Sequence, residues 1–181
     1  IIEETIASST IGNIVHDSLE LIYKDYVGKR LKIEDLKEMK EKINTTVQNI
    51  IRNYVREENI YKGKNIIIVE TVKEYVKKVI ELDKRTVEKG NGLKIIAVES
   101  EFENKIRESG VEYKIKGKID RIDELNGEVR VIDYKSGKKL RQRNITIKES
   151  EELTKEKGIY NLQLLIYMLG IKEEFKEKTI K

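Results

Sequence analysis

The sequence of 181 residues contains no cysteine and a single histidine, His16. Without cysteine the chain has no disulfide bond, no zinc site built on thiolates and no iron–sulfur cluster held by cysteine. No apolar run approaches the ~20 residues of a membrane-spanning helix, and the first residues are not a signal peptide, so we expect a cytoplasmic chain with no membrane partner. The first residue is not methionine, and we expect the sequence to be a fragment of a longer protein.

Charged residues are abundant, and their signs nearly balance. The chain has 37 Lys and Arg against 33 Asp and Glu, a net charge of +4. This mild basic excess is compatible with a polyanionic partner but is too small to establish one. The apolar segments are sufficient for one core and no stretch resembles a linker, so residues 1–181 are predicted to form a single domain.

A β-hairpin is predicted around Asn126-Gly127, which is the strongest short signal for a two-residue hairpin turn. Residues 117–123 and 131–135 on its two sides alternate apolar and polar side chains with the period of a half-buried strand. If Asn126 and Gly127 are the two turn residues, Asp120 lies directly opposite Asp133 on the partner strand.

Two carboxylates in this position repel each other, and Lys135 lies on the same strand face as Asp133. A hard divalent cation bound by the carboxylate oxygens of Asp120 and Asp133 would turn the repulsion into ligation and leave the ammonium beside an anion held by the metal. The alternative is a hairpin whose charges simply face water. A loop of odd length or a bulge would also shift the pairing by one residue and separate the carboxylates.

The remaining elements predict an α/β (α+β) fold. Helical periodicity predicts helices over residues 11–26, 33–57, 66–87 and from about 158 onward, although residues 66–69 could equally form a short strand. Strands are predicted over 93–99, 111–122 and 128–134, and three consecutive strands with short connections make an antiparallel meander. We therefore expect a central mixed sheet, with an antiparallel meander, flanked by helices.

Polar residues on two of the predicted helices have two interpretations. His16 precedes Leu19 and Tyr23 on one face of the first helix, where a lone histidine is usually a satisfied core residue and less often a metal ligand. Gln163 and Tyr167 stand at i and i+4 on an otherwise apolar helix. They either satisfy each other at the edge of the core or serve a polar site.

A basic stretch follows the hairpin directly. A run of charge is usually a solvated loop, but its position beside a carboxylate pair favours contact with nucleic-acid phosphates. Its five basic residues are Lys135, Lys138, Lys139, Arg141 and Arg143.

Five motifs, in chain order, resemble the RecB-like branch of the PD-(D/E)XK nuclease superfamily, and most closely the C-terminal nuclease domain of AddB-type helicase–nuclease subunits. The resemblance covers about residues 10–170 and implies a restriction-endonuclease-like core. The motifs are Gly12-x-x-x-His16, Glu99, Gly117-x-x-Asp120-Arg121-x-Asp123, Asp133-Tyr134-Lys135-Ser136-Gly137 and Gln163-x-x-x-Tyr167.

The resemblance implies a metal-dependent deoxyribonuclease, expected to be an exonuclease in DNA end processing and recombinational repair. Mg²⁺ or Mn²⁺ would be bound by His16, Asp120, Asp133 and the backbone carbonyl of Tyr134, and Asp120, Asp133 and Lys135 would be the catalytic residues. Lys135 would orient or deprotonate a water molecule, or stabilise developing negative charge. Residues expected to contact DNA or support the site are Glu99, Arg121, Lys138, Lys139, Arg141, Arg143, Gln163 and Tyr167.

The sequence lacks two features of many family members. Many AddB subunits hold an iron–sulfur cluster on four cysteines, and this chain has none. It also has no G-x-x-x-x-G-K-[ST] motif, so a helicase–nuclease partner subunit, or a helicase-like region of the parent chain, is the expected partner besides DNA. The alternatives are a catalytically inactive DNA-binding or scaffolding domain, and a structural domain that uses its long helices as an interface and has no metal affinity.

Overall fold

A computed structural model describes residues 6–135 and 156–181 of the chain. The predicted basic loop with Lys138, Lys139, Arg141 and Arg143 therefore lies outside the described residues. None of the described helices combines the length and the apolar character that crossing a membrane demands. The α-helices formed by the described residues are α1 (Ser8–Tyr23), α2 (Ile33–Ile51), α3 (Glu57–Ile60), α4 (Lys64–Glu88) and α5 (Glu156–Ile171).

The helices lie close to their predicted positions, with differences at their ends. α1 begins before residue 11, and its predicted last turn is a 3₁₀ helix over Lys24–Tyr26. α2 ends at Ile51 rather than at residue 57, because Asn53 and Tyr54 bond to carbonyls three residues back, and the turn places Val55 in the core. Residues 66–69 belong to α4 and do not form a strand.

Three strands form an antiparallel sheet in the order β1 (Leu93–Glu108), β2 (Val111–Leu125) and β3 (Glu128–Ile132), which confirms the predicted meander. The β2–β3 turn is made by Asn126 and Gly127, whose φ angles of 54° and 93° are those a two-residue hairpin turn needs. The resulting register is the predicted one. Both strand pairings are antiparallel, so the three described strands do not form the predicted mixed sheet. The parallel pairing within the described residues is an isolated bridge between Val129 of β3 and Ile180.

β1 is longer than predicted, because it does not end at Glu99 but continues to Glu108. β3 pairs only with the end of β2 that follows Asp120, up to the pair Arg121–Ile132. The rest of β1 and β2 therefore extends past β3 as a two-stranded ribbon over residues 100–119, which we call the ribbon.

The sheet lies between two hydrophobic clusters. Burial of these apolar side chains is the main favourable contribution to packing. The cluster on the side of α1, α2 and α4 includes Leu19, Leu36, Met39, Val76 and Ile95, and the cluster on the side of α5 comprises Phe102, Ile119, Ile122, Val129, Tyr167 and Ile171.

The alternation of side chains along β2 is interrupted at Asp120. Residues an odd number of positions apart normally face opposite sides of a sheet, yet Ile119 and Ile122 both pack toward α5. On β1 the pairing register shifts between Ile95 and Ala97, and a second irregularity lies at Glu99, which has a φ of 48° in the left-handed region. Such a conformation costs a non-glycine residue about 1–3 kcal/mol and is found most often at functional sites. Because of this change of phase, Arg121 faces the helices α1 and α4.

Candidate active site

Three acidic residues lie in one row across the sheet. The neighbours of Glu99 on β1 pair with the neighbours of Asp120 on β2, so these two residues are level. Ile132, the last paired residue of β3, lies opposite Arg121, the residue after Asp120. Asp133 follows Ile132 and is therefore level with Asp120. The Asn126-Gly127 turn thus brings the two predicted carboxylates together, and β1 adds a third.

α1 contributes His16 to this row. Its Nδ1 lies 3.3 Å from Asp120 Oδ1 and 3.8 Å from Glu99 Oε1. On the other side of the ring, Nε2 donates a hydrogen bond to the Tyr134 carbonyl oxygen at 2.8 Å, since a carbonyl can only accept. The hydrogen bond with Asp120 raises the pKa of His16 despite its partial burial. Nδ1 thus faces two carboxylates, an arrangement suited to a cation.

His16, Glu99 and Asp120 together could hold a metal ion, because each offers one ligand atom and these atoms lie within 4.8 Å of one another. An imidazole nitrogen with carboxylate oxygens suits a divalent cation such as Mg²⁺ or Mn²⁺. The sequence-derived set contained Asp133 and the Tyr134 carbonyl in place of Glu99. The structure adds Glu99 as a candidate ligand, and the Tyr134 carbonyl contacts the opposite nitrogen of the histidine ring.

Asp120 is held in place from two sides. It is buried, with 8% of its surface exposed, and its Oδ2 accepts a hydrogen bond from the Tyr134 N–H at 2.5 Å. Its other oxygen faces His16. The carboxylate therefore joins β2, the end of β3 and α1, and its orientation is set before any ligand binds.

Asp133 and Lys135 form a second group beside this one. Lys135 Nζ lies 2.6 Å from Asp133 Oδ2 and donates to Gln163 Oε1 at 3.3 Å, while Gln163 Nε2 donates to Asp133 Oδ1 at 3.2 Å. Burial raises the pKa of Asp133, and the hydrogen bond with Lys135 acts in the opposite direction. Gln163 also donates to the Tyr167 hydroxyl at 2.5 Å. Gln163 thus contacts both Tyr167 and the group of Asp133 and Lys135, and the role of the α5 pair in a functional site stays a prediction.

Two contacts of the site were not anticipated from the sequence. The Tyr75 hydroxyl on α4 donates to the backbone carbonyl of Lys135 at 3.0 Å, and the Lys118 ammonium lies 2.7 Å from Glu99 Oε2. Tyr75 belongs to the apolar stripe of its helix, and nothing in the pattern marks it. Lys118 could have been found, because it precedes Asp120 by two residues on a predicted strand.

Arg121 was expected to contact DNA or to support the site, and its burial fits only the second of these roles. Arg121 is 2% exposed, and its guanidinium bonds to both Asp83 oxygens, at 2.6 and 3.1 Å, and to Asp123 Oδ2 at 2.7 Å. The physical reason is the change of phase at Asp120, which directs Arg121 and Asp123 toward α4 rather than toward the face on which Ile119 packs.

Comparison with known protein families identifies the class to which the chain belongs. The family model of the PD-(D/E)XK nuclease superfamily matches residues 2–181, and the chain belongs to this superfamily. Its members use divalent metal ions, for which the group formed by His16, Glu99 and Asp120 supplies a candidate site.

The relatives support the resemblance to AddB-type subunits. The chain is similar to the ATP-dependent helicase/deoxyribonuclease subunit of the B type from Alkaliphilus oremlandii (strain OhILAs), with 29% identity over 152 residues, which are 76% of the chain. It is also similar to the protein of the same name from Alkaliphilus metalliredigens (strain QYMF), with 30% identity over 156 residues and again 76% of the chain. The chain spans 13% of the length of each relative.

Proposed function

We propose that the chain is a metal-dependent deoxyribonuclease that hydrolyses phosphodiester bonds in DNA. The observation that carries the proposal is the convergence of His16, Glu99 and Asp120 from three separate elements, α1, β1 and β2, within ligating distance of one another. Asp133 and Lys135 lie directly beside them. The family membership and the names of the relatives support the same chemistry.

The metal would be Mg²⁺ or Mn²⁺, held by His16 and Asp120 together with Glu99 or Asp133. When bound, it would polarise the scissile phosphate and lower the pKa of a coordinated water molecule. His16 would bind it in neutral form, after losing the proton that its hydrogen bond with Asp120 favours in the protein without metal.

Lys135 would act electrostatically. Its ammonium, 2.6 Å from Asp133 Oδ2, is suited to stabilise negative charge that develops on the phosphate. A role as general base would require the neutral amine, whereas a lysine side chain ordinarily carries its charge near neutral pH. Gln163 would keep Lys135 and Asp133 in their relative positions, and Tyr75 would anchor the backbone of Lys135.

The finer part of the proposal is exonuclease action in DNA end processing and recombinational repair. It includes a helicase–nuclease partner subunit or a helicase-like region of the parent chain. Its support is the name of the relatives, which combines a helicase with a deoxyribonuclease. In this view residues 1–181 are the nuclease domain. Digestion of linear single- and double-stranded DNA in the presence of Mn²⁺ tests it, because an exonuclease releases nucleotides from ends and spares closed circular DNA.

The metal site itself is tested by a crystal soaked in Mn²⁺. We expect an anomalous peak about 2.0–2.5 Å from His16 and Asp120, within the range of hard-ion coordination. The third side chain at the peak, Glu99 or Asp133, decides between the two ligand sets. A His16→Ala crystal is the control and should lose the peak. A peak that touches neither His16 nor Asp120 contradicts the proposal and favours the inactive DNA-binding or scaffolding alternative.

The basic loop after the site stays a prediction. Replacing its four basic residues Lys138, Lys139, Arg141 and Arg143 with serine is expected to weaken DNA binding and flatten its salt dependence, by a log–log slope of about 0.7–0.9 per lost phosphate contact. Fluorescence anisotropy of labelled DNA across a salt series measures the slope. An unchanged slope would mean that the loop is only solvated surface.

A further inference from the structure

We propose that a row of lysines on the ribbon, Lys114, Lys116 and Lys118 of β2, binds the phosphate backbone of one DNA strand and leads it into the site. The inference rests on the proposed function, because it names a surface through which the same site receives its substrate. None of the three lysines is a specified position of the sequence motifs, although Lys118 lies at a variable position of Gly117-x-x-Asp120.

The three lysines share one face of the ribbon. Along this part of β2 the intervening residues are Ile115 and Gly117. Ile115 packs against the cluster on the side of α5, and Phe102 of that cluster lies against Gly117. Lys114 and Lys116 therefore project from the opposite face, which is free of α5. No acidic residue of β2 interrupts the row between position 114 and the site.

The row is continuous with the proposed metal site. Lys118 binds Glu99 Oε2 at 2.7 Å, and the other oxygen of Glu99 faces His16 Nδ1 at 3.8 Å. From residue 114 to residue 118 the strand extends about 13 Å, at about 3.3 Å per residue. One strand of B-form DNA advances about 3.4 Å per nucleotide, so the row matches about four nucleotides.

The charges on this face are suited to a polyanion despite acidic neighbours. Lys114 pairs with Glu103 at 2.7 Å, but the two side chains are 56% and 59% exposed, and ion pairs this exposed are weak. Lys114 can therefore exchange its partner for a phosphate. Lys116 is exposed, and no ion pair of Lys116 is found within the part of the chain that the structure describes. Glu103 and Glu101 of β1 lie opposite Lys116 and Lys118. Nearer the tip, Lys105 and Arg107 both pair with Glu112, at 2.7 and 3.4 Å, and these exposed pairs are weak as well.

The test uses Lys114→Ser/Lys116→Ser, which leaves Lys118 at the site. Anisotropy of labelled DNA in EDTA measures how binding depends on salt. For two lost contacts, the log–log slope should be smaller by about 1.4 with single-stranded DNA and by about 1.8 with duplex DNA. The matched control, Lys37→Ser/Lys89→Ser, removes two exposed lysines from the helical part of the chain and should keep the parent slope. Lys114→Arg/Lys116→Arg retains the charge and should also keep it.

Hydrolysis separates this inference from the proposed function. With Mn²⁺, Lys114→Ser/Lys116→Ser should digest DNA more slowly at subsaturating DNA, yet hydrolyse bis(p-nitrophenyl) phosphate at the parent rate, because this diester is too small to reach the ribbon from the site. If the parent hydrolyses DNA but Lys114→Ser/Lys116→Ser keeps the salt slope of the parent, as the control Lys37→Ser/Lys89→Ser is expected to do, the ribbon inference is wrong and the proposed function stands. A parent protein without metal-dependent hydrolysis overturns the proposed function, whatever the slopes.

Discussion

Replacing Lys135 with alanine is expected to lower the rate of DNA hydrolysis by a factor of about 10²–10⁴ while leaving the affinity for Mn²⁺ nearly unchanged. The substitution removes the ammonium that lies 2.6 Å from Asp133 Oδ2. It leaves the side chains of His16, Glu99 and Asp120, the candidate ligands, in place. Single-turnover digestion of linear DNA measures the rate, and calorimetric titration with Mn²⁺ measures the affinity.

Asp120→Asn is the matched variant in the same site. It is expected to lose both hydrolysis and metal affinity, because a neutral amide is a far poorer ligand for a hard cation than a carboxylate. If purified Lys135→Ala digests DNA as fast as the parent under Mg²⁺, either the activity belongs to a contaminant or Lys135 lies outside the site. The proposed mechanism would then be wrong.

Replacing Arg121 with alanine is expected to lower the free energy of unfolding by about 3–5 kcal/mol, the usual cost of removing one partner from a buried ion pair. Arg121 lies between Asp83 and Asp123, which are 6% and 0% exposed. Burial alone would lower the pKa of Arg121, but attraction to Asp83 and other neighbours raises it well above its ordinary value. Urea denaturation followed by circular dichroism measures the change.

Lys40→Ala is the control for this experiment. It removes an ion pair with Glu81 of similar length, 2.7 Å, whose side chains are 40% and 32% exposed. We expect a loss below about 1 kcal/mol, because water screens the pair. A loss for Arg121→Ala no larger than this would mean that water reaches the two aspartates. Since small domains are stable by only about 5–15 kcal/mol, the larger effect should be plain in the denaturation midpoint.

The buried ion pair also bears on the position of the site. Asp83 lies on α4 and accepts a hydrogen bond at 2.6 Å from the hydroxyl of Tyr23, which is two helical turns after His16 on α1. Arg121 follows Asp120 directly on β2. The network therefore joins α1 and α4 to β2 close to His16 and Asp120. Its loss is expected to loosen the contact between these two residues.

The hairpin that carries two of the site carboxylates could be predicted because its determinants are local. Asn126 and Gly127 adopt the positive φ angles of the turn at little cost, and the turn alone sets which residues of β2 and β3 face each other. The amphipathic stripes of α1, α2 and α4 are equally local. Their ends were predicted less well, because the end of α2 depends on the turn that buries Val55.

The role of Arg121 could not be predicted in this way. A charged residue beside a catalytic motif is usually exposed, and the motif does not reveal the change of strand phase at Asp120 that turns Arg121 inward. The partner that makes burial tolerable, Asp83, lies 38 residues earlier on a helix whose polar positions otherwise face solvent or pair at the surface. The length of β1 was missed for a related reason, since Glu99 interrupts the alternation without ending the strand.

The sequence by itself determined the chemistry available to this protein: no thiol, one imidazole, two carboxylates opposite each other across a hairpin, and a lysine on the same strand. These follow from composition and from interactions between near neighbours in the chain. Only the tertiary structure decided that Glu99 joins His16 and Asp120, and that Tyr75 holds the backbone of Lys135. Such contacts link residues as far as 118 positions apart, and they depend on how α1 and α4 pack on the sheet, which leaves no periodic signal in the sequence.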